Sequence, residues 1–206
     1  GSIVHLAPNT TYDIQLTLAG TSTTTNLTAT TWSEAFPSGE AVRIGDRDTP
    51  LTITESGTAQ AYRVYDGRGR TIDVGHKNDF CISVNASYVV LRGFTLKGAG
   101  ATNSTVKGPI GAIQIEGGQD IIIENCDISD WGRLNPATNF GRDYDAAIYS
   151  RSATLQHLVV QRCKMHHPTW DGSTWYEPKY PTHTQGPQCI TLFNAGGNHV
   201  IRYNEF

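Results

Sequence analysis

A strand-like segment recurs five times along this chain, and no other feature narrows the fold as much. The copies are Arg70-Thr71-Ile72-Asp73-Val74, Arg92-Gly93-Phe94-Thr95-Leu96, Glu124-Asn125-Cys126-Asp127-Ile128, Gln161-Arg162-Cys163-Lys164-Met165 and Arg202-Tyr203-Asn204-Glu205-Phe206. Each alternates along its length with the period of two that exposes one face of a strand and buries the other. Aligned on Ile72, Phe94, Cys126, Cys163 and Asn204, the copies are separated by 22, 32, 37 and 41 residues. That spread excludes the fixed periods of leucine-rich or ankyrin repeats and leaves a stack of short strands joined by connections of unequal length.

A second set of strands locates the inequality. Ile82, Ile113, Ile148 and Ile190 open Ile82-Ser83-Val84, Ile113-Gln114-Ile115, Ile148-Tyr149-Ser150 and Ile190-Thr191-Leu192. From these isoleucines to the next aligned position the chain takes 12, 13, 15 and 14 residues, whereas the return takes 10, 19, 22 and 27. The added length therefore lies on one edge of the stack. Phe94, Cys126, Cys163 and Asn204 are expected in one inward column. Asp73, Thr95, Asp127, Lys164 and Glu205 are expected outside, as a surface ladder of ion pairs worth ~0 to 1 kcal/mol each.

This pattern, with phrases such as Tyr88-Val89-Val90-Leu91-Arg92-Gly93-Phe94 and Asn198-His199-Val200-Ile201-Arg202-Tyr203-Asn204, resembles the right-handed parallel β-helix of the pectate-lyase-like class. The resemblance covers residues from about 50 to 206 and implies an all-β solenoid of about five coils. Ahead of it, Leu6-x-Pro8-x-Thr10-x-Tyr12 and the ending Thr30-Thr31 resemble the tyrosine corner and last strand of a fibronectin type III domain. The domain reading is thus 1–36 as the C-terminal piece of such a module with its linker, and 37–206 as the β-helix. Phe206 falls inside a strand, so further coils are expected beyond it.

Composition removes several functions. Charged residues are 17% of the chain and the net charge is −3, which argues against a nucleic-acid binder. The longest apolar run is about four residues, far below the ~20 of a membrane helix. Cys81, Cys126, Cys163 and Cys189 form no C-x-x-C pair, and His166, His167 and His183 have no zinc-ligand spacing. The cysteines read as small core residues, with Cys126 and Cys163 as free, stacked thiols.

Residues 97–111, 129–146 and 166–188 form three long connections on the extended edge, and loops of that length usually carry function. They hold Trp131, Trp170, Trp175, Tyr144, Tyr176, Tyr180, His166, His167 and His183. An aromatic wall beside a strand face suits a polysaccharide, because aromatic rings stack on sugar faces. Gln114, Glu116, Tyr149 and Arg151 are expected on that strand face, with Asp143 and Asp145 entering the strand of Arg151. Glycoside hydrolysis needs two carboxyl groups about 5 to 9.5 Å apart. Glu116 with Asp145 is the preferred pair, Asp143 the substitute, and Arg151 the group that orients sugar or holds a carboxylate ionised. A Glu116–Arg151 ion pair without catalytic part is an equal alternative.

The resemblance also implies a second chemistry. Lyases of the class pair an Arg or Lys base with calcium, roles open here to Arg151 or Lys179 with His183 assisting. The loops carry Lys97, Lys107, Arg133, Arg142 and Lys179 against Asp130, Asp143, Asp145, Asp171 and Glu177. That balance favours a neutral glycan, a hydrolase and no cofactor, since a groove for a polyanion is basic. A non-catalytic glycan-binding adhesin or shaft is the third reading. A secreted, bacterial, modular protein follows from the resemblance. The sequence does not fix its oligomeric state.

Overall fold

The computed structural model describes residues 5–31, 33–135, 140–141, 144–169 and 187–206. The described residues are all-β, and none lies in a helix long and apolar enough to cross a membrane. The chain divides into two units, Gly1–Pro37 and Ser38–Phe206.

In the first unit, β1 (Thr11–Thr17) and β2 (Thr24–Thr30) pair antiparallel, Thr11 opposite Thr30 and Thr17 opposite Thr24. The Tyr12 hydroxyl accepts the amide of Ala7 at 2.7 Å, and Thr31 Oγ1 donates to the Ala7 carbonyl at 2.6 Å. The aromatic side chain thereby ties the strand to the segment before it. Leu16, Leu18 and Leu27 remain exposed.

The second unit contains β3 (Ser38–Arg43), β4 (Leu51–Ile53), β5 (Tyr62–Asp73), β6 (Ile82–Asn85), β7 (Val89–Lys97), β8 (Gly111–Gly117), β9 (Gln119–Glu124) and β10 (Asp127–Ser129). A small antiparallel pair, β11 (Leu134–Asn135) and β12 (Phe140–Gly141), follows. β13 (Ala146–Ser150), β14 (Gln156–Gln161), β15 (Lys164–His166), β16 (Gln188–Leu192) and β17 (Val200–Arg202) complete it. Apart from β11 and β12, these strands pair in parallel.

Three parallel ladders result. The first runs β4-β6-β8-β13-β16 and places Leu51, Ile82, Ile113, Ile148 and Ile190 at one level-by-level position. The second joins β3, the leading halves of β5 and β7, then β9, β14 and β17. The third joins the trailing halves of β5 and β7 to β10 and β15. Each layer of chain visits first, second and third ladder in turn. Buried isoleucine, leucine and valine from all three form one core cluster, including Ile113, Ile115, Ile121, Ile123 and Ile128.

A left-handed residue recurs at equivalent positions where the chain turns from one ladder to the next. Tyr88, Asp120, His157 and Asn198 occupy equivalent positions before the second ladder with φ of 55°, 54°, 50° and 61°. Gly93, Asn125, Arg162 and Tyr203 do the same between second and third, and Gly98, Asp130 and His167 after the third. A positive φ reverses the local course of an extended chain in a single step, at a cost for side chains other than glycine.

One column at the edge of the second ladder is polar. Asp66, Arg92, Glu124, Gln161 and Arg202 stand at the same register position in successive layers. Arg92 Nη2 donates to Asp66 Oδ2 at 3.0 Å, and Gln161 Nε2 to Glu124 Oε2 at 2.8 Å. Arg202 donates twice to Gln161 Oε1, at 2.9 and 2.7 Å.

The expected registers hold for the isoleucine column and for Phe94, Cys126 and Cys163, whose cysteines are unbridged. One register differs. Ile72 pairs with Leu96, not Phe94, because β5 bulges between Asp66 and Arg70, where Gly67-Arg68-Gly69 oppose the single Gly93. The slip is two residues, so Ile72 keeps its inward face while Asp73 moves beside Lys97. β6 and β8 also shift after Val84, where Asn85 stands opposite Gly117 and Glu116 has no register partner on β6.

Candidate functional site

The residues singled out from sequence do not converge. Glu116 is exposed at the end of β8, and no ion pair joins it to Arg151 among the described residues. The Arg151 guanidinium instead lies 5.7 Å from the centre of the Phe193 ring. Gln114 Oε1 accepts the amide of Gly111 at 3.0 Å, and Tyr149 beside it is buried, which pushes its hydroxyl pKa up. Asp143, Trp170, Trp175, Lys179 and His183 lie outside the described residues.

Asp145 and Trp131 are corrections. Asp145 is 0% exposed and accepts Arg133 Nε and the Arg133 amide on Oδ2 at 2.8 and 3.0 Å, and Arg133 Nη2 and the Ile110 amide on Oδ1 at 2.7 and 3.1 Å. Burial pushes this carboxyl up, opposed by the guanidinium and the two amides. It faces Arg133 rather than a groove, so Glu116 and Asp145 share no surface. Trp131 is also buried, its Nε1 donating to the Gln188 carbonyl at 3.0 Å, and has no face left for a sugar.

The third ladder's outer edge assembles a different group. β10 ends at Ser129, and the left-handed Asp130 turns the chain out beside His76. His76 Nδ1 donates to the Gly100 carbonyl at 3.0 Å, and its Nε2 lies 3.3 Å from Asp130 Oδ1. Thr169 Oγ1 reaches the same carboxylate oxygen at 3.4 Å. His76, Gly100, Thr102, Gly132, Leu134 and Thr169 line a cavity of about 140 Å³.

Three residues back, at the start of β10, Asp127 Oδ1 receives His166 Nε2 at 2.9 Å. His166 Nδ1 is 2.6 Å from His167 Nδ1. With Nε2 of His166 donating to the carboxylate, its Nδ1 accepts and His167 Nδ1 donates. In this tautomer the lone pair of the His167 ring lies on Nε2, and His167 is exposed. The backbone closes the group, since the Asp130 amide donates to the His167 carbonyl at 2.8 Å.

This edge was expected to be a plain ladder of surface ion pairs. Lys164 and Glu205 do pair, at 3.0 Å, but Asp127 pairs with His166. Asp73 helps line a cleft of about 660 Å³ with Asp46, Arg47, Asp48, Thr71 and Lys77. Among the described residues, no group of three or more His, Cys, Asp or Glu side chains is placed to hold a metal ion.

His76 was missed because 54 residues separate it from Asp130 in sequence, and only layer-on-layer stacking brings them together. The available signal was positional: Gly75-His76 leaves the third ladder one and two residues past the level at which Gly98, Asp130 and His167 leave it in later layers. Comparison with known protein families, curated proteins and solved structures gives no match.

Proposed function

We propose that the chain is a right-handed parallel β-helix of the pectate-lyase-like class that hydrolyses a polysaccharide at the edge of its third ladder. Three parallel ladders visited in constant order support the fold. The observation that carries the function is the pair Asp127 and Asp130, the first accepting His166 Nε2 and the second accepting Thr169 Oγ1, with Thr169 and the neighbouring His76 lining the small cavity. Their side chains are 47% and 37% exposed, unlike Asp145, so both can meet a substrate. Three residues apart, their Cα atoms are within ~10 Å, compatible with the ~5 to 9.5 Å between the carboxyl groups of glycosidases. One carboxyl protonates the leaving oxygen, and the other activates water or attacks the sugar.

A second reading rests on the histidine relay. His167 Nε2, polarised through His166 by Asp127, is placed as a base for β-elimination on a uronate glycan. Secretion from a bacterium accords with either chemistry.

The test is a panel of neutral and uronate glycans, followed by new reducing ends and by ultraviolet absorbance of unsaturated uronate. Hydrolysis gives reducing ends without absorbance, and Asp127→Asn or Asp130→Asn each lowers it at least ~100-fold. Absorbance that depends on His167 moves the assignment to the lyase. Retained binding without turnover makes the protein a glycan-binding shaft, and loss of turnover in Glu116→Gln with both aspartate variants active overturns the pair.

A further inference from the structure

We infer that Arg133 is the positioning residue of this site, clamping two long connections together so that Gly100 holds His76 in place. The inference rests on the proposed site but concerns its internal order. Arg133 is 2% exposed, and every donor of its guanidinium is engaged. Nη1 donates to Ser104 Oγ at 3.1 Å and the Val106 carbonyl at 2.9 Å, Nη2 to the Gly108 carbonyl at 2.7 Å, and Nε and Nη2 to Asp145. Three of these acceptors belong to the connection after β7, whereas Arg133 and Asp145 belong to the connection after β10.

The clamp reaches the cavity through backbone. A Cβ on Gly100 would stand 2.7 Å from the Gly132 carbonyl oxygen and 3.1 Å from Arg133 Cγ, so the two connections touch where the cavity wall forms. The Gly132 amide donates to the Ala99 carbonyl at 3.0 Å, and the Thr102 amide to the His76 carbonyl at 3.1 Å. Asp79 fixes the far side, accepting the Ala101 amide at 3.0 Å and Ser104 Oγ at 2.8 Å. Gly100 is thus held from both flanks while its carbonyl accepts His76 Nδ1. Only arginine presents enough donors in a rigid fork to bind a carboxylate and two carbonyls at once.

The experiment compares the parent chain with Arg133→Lys, Ser104→Ala and the double variant Arg133→Met/Asp145→Leu. The double variant removes the clamp without leaving a buried charge unpaired, which keeps the fold testable. Imidazole nitrogen and proton NMR of His76 reports the Nδ1–H bond to Gly100 with no substrate present, and kcat and KM on the best glycan report the site. The expected result is a folded double variant whose His76 Nδ1–H signal is lost or exchange-broadened, with kcat down at least ~10-fold and KM changed less than ~2-fold. Arg133→Lys should not rescue it. An unchanged His76 signal in the folded double variant overturns the inference. A parent chain inactive on every glycan refutes the proposed function alone, because the NMR comparison still decides the clamp.

Discussion

Truncating the middle of the isoleucine column tests the stacking directly. Ile113 is 0% exposed, with Ile82 on one side and Ile148 on the other at the same register position. Ile113→Ala removes about three methylene equivalents, ~2.4 kcal/mol at ~0.8 each. Strands bonded on both sides restrict collapse, so a residual void of ~50 Å³ adds ~1 kcal/mol at ~24 cal/mol per Å³. The expected loss is therefore ~3 to 4 kcal/mol. Ser83, one residue along the neighbouring strand and on the opposite face, provides the contrast: Ser83→Ala should stay within ~0.5 kcal/mol. Denaturant unfolding followed by circular dichroism measures both. A loss below ~1 kcal/mol for Ile113→Ala, or equal losses for the two variants, would refute the assignment of faces.

Two further outcomes are expected. Asn198 bends the chain with φ of 61° on an exposed corner, so Asn198→Val should cost ~1 to 2 kcal/mol and Asn198→Gly little, and equal midpoints for the two would contradict the left-handed corner. His199 accepts the Leu158 amide on Nδ1 at 3.1 Å, and burial followed by the nearby His157 lowers its pKa below 6.5. A folded pKa below the unfolded one means that the unfolded chain binds the extra proton. The contribution is present above pH 6.5 and lost as pH falls toward the folded value. His199→Asn should flatten that part of the pH–stability curve, and an unchanged slope would exclude His199 as its source.

What could be read from the residues was what depends on spacing and period. Ile82, Ile113, Ile148 and Ile190 announce their column because the distance onward to the next strand is nearly constant and each is followed by alternation. The bulge at Gly67-Arg68-Gly69 breaks that regularity, so the start of the third ladder was misaligned by two residues. β4 is only three residues long and gives too little alternation to stand out. The site was harder, because exposure is a tertiary property. Nothing local to Asp145 reveals that Arg133 is folded onto it, and nothing local to Trp131 shows its indole aimed at Gln188. His76 and Asp130 meet through the stacking of layers, which a linear pattern of residue types does not contain.

The polar column of Asp66, Arg92, Glu124, Gln161 and Arg202 bears on how such a stack avoids assembling out of order. Parallel ladders built from interchangeable apolar strands pair slowly, and a nascent strand can accept the wrong neighbour. If the layer of Arg92 were skipped, Asp66 would meet Glu124, two carboxylates with the first of them only 7% exposed. Like charges directly opposed on neighbouring strands destabilise their pairing. The column therefore acts as a serial number on the layers, rejecting at least one deletion error while the apolar faces are still indifferent to it.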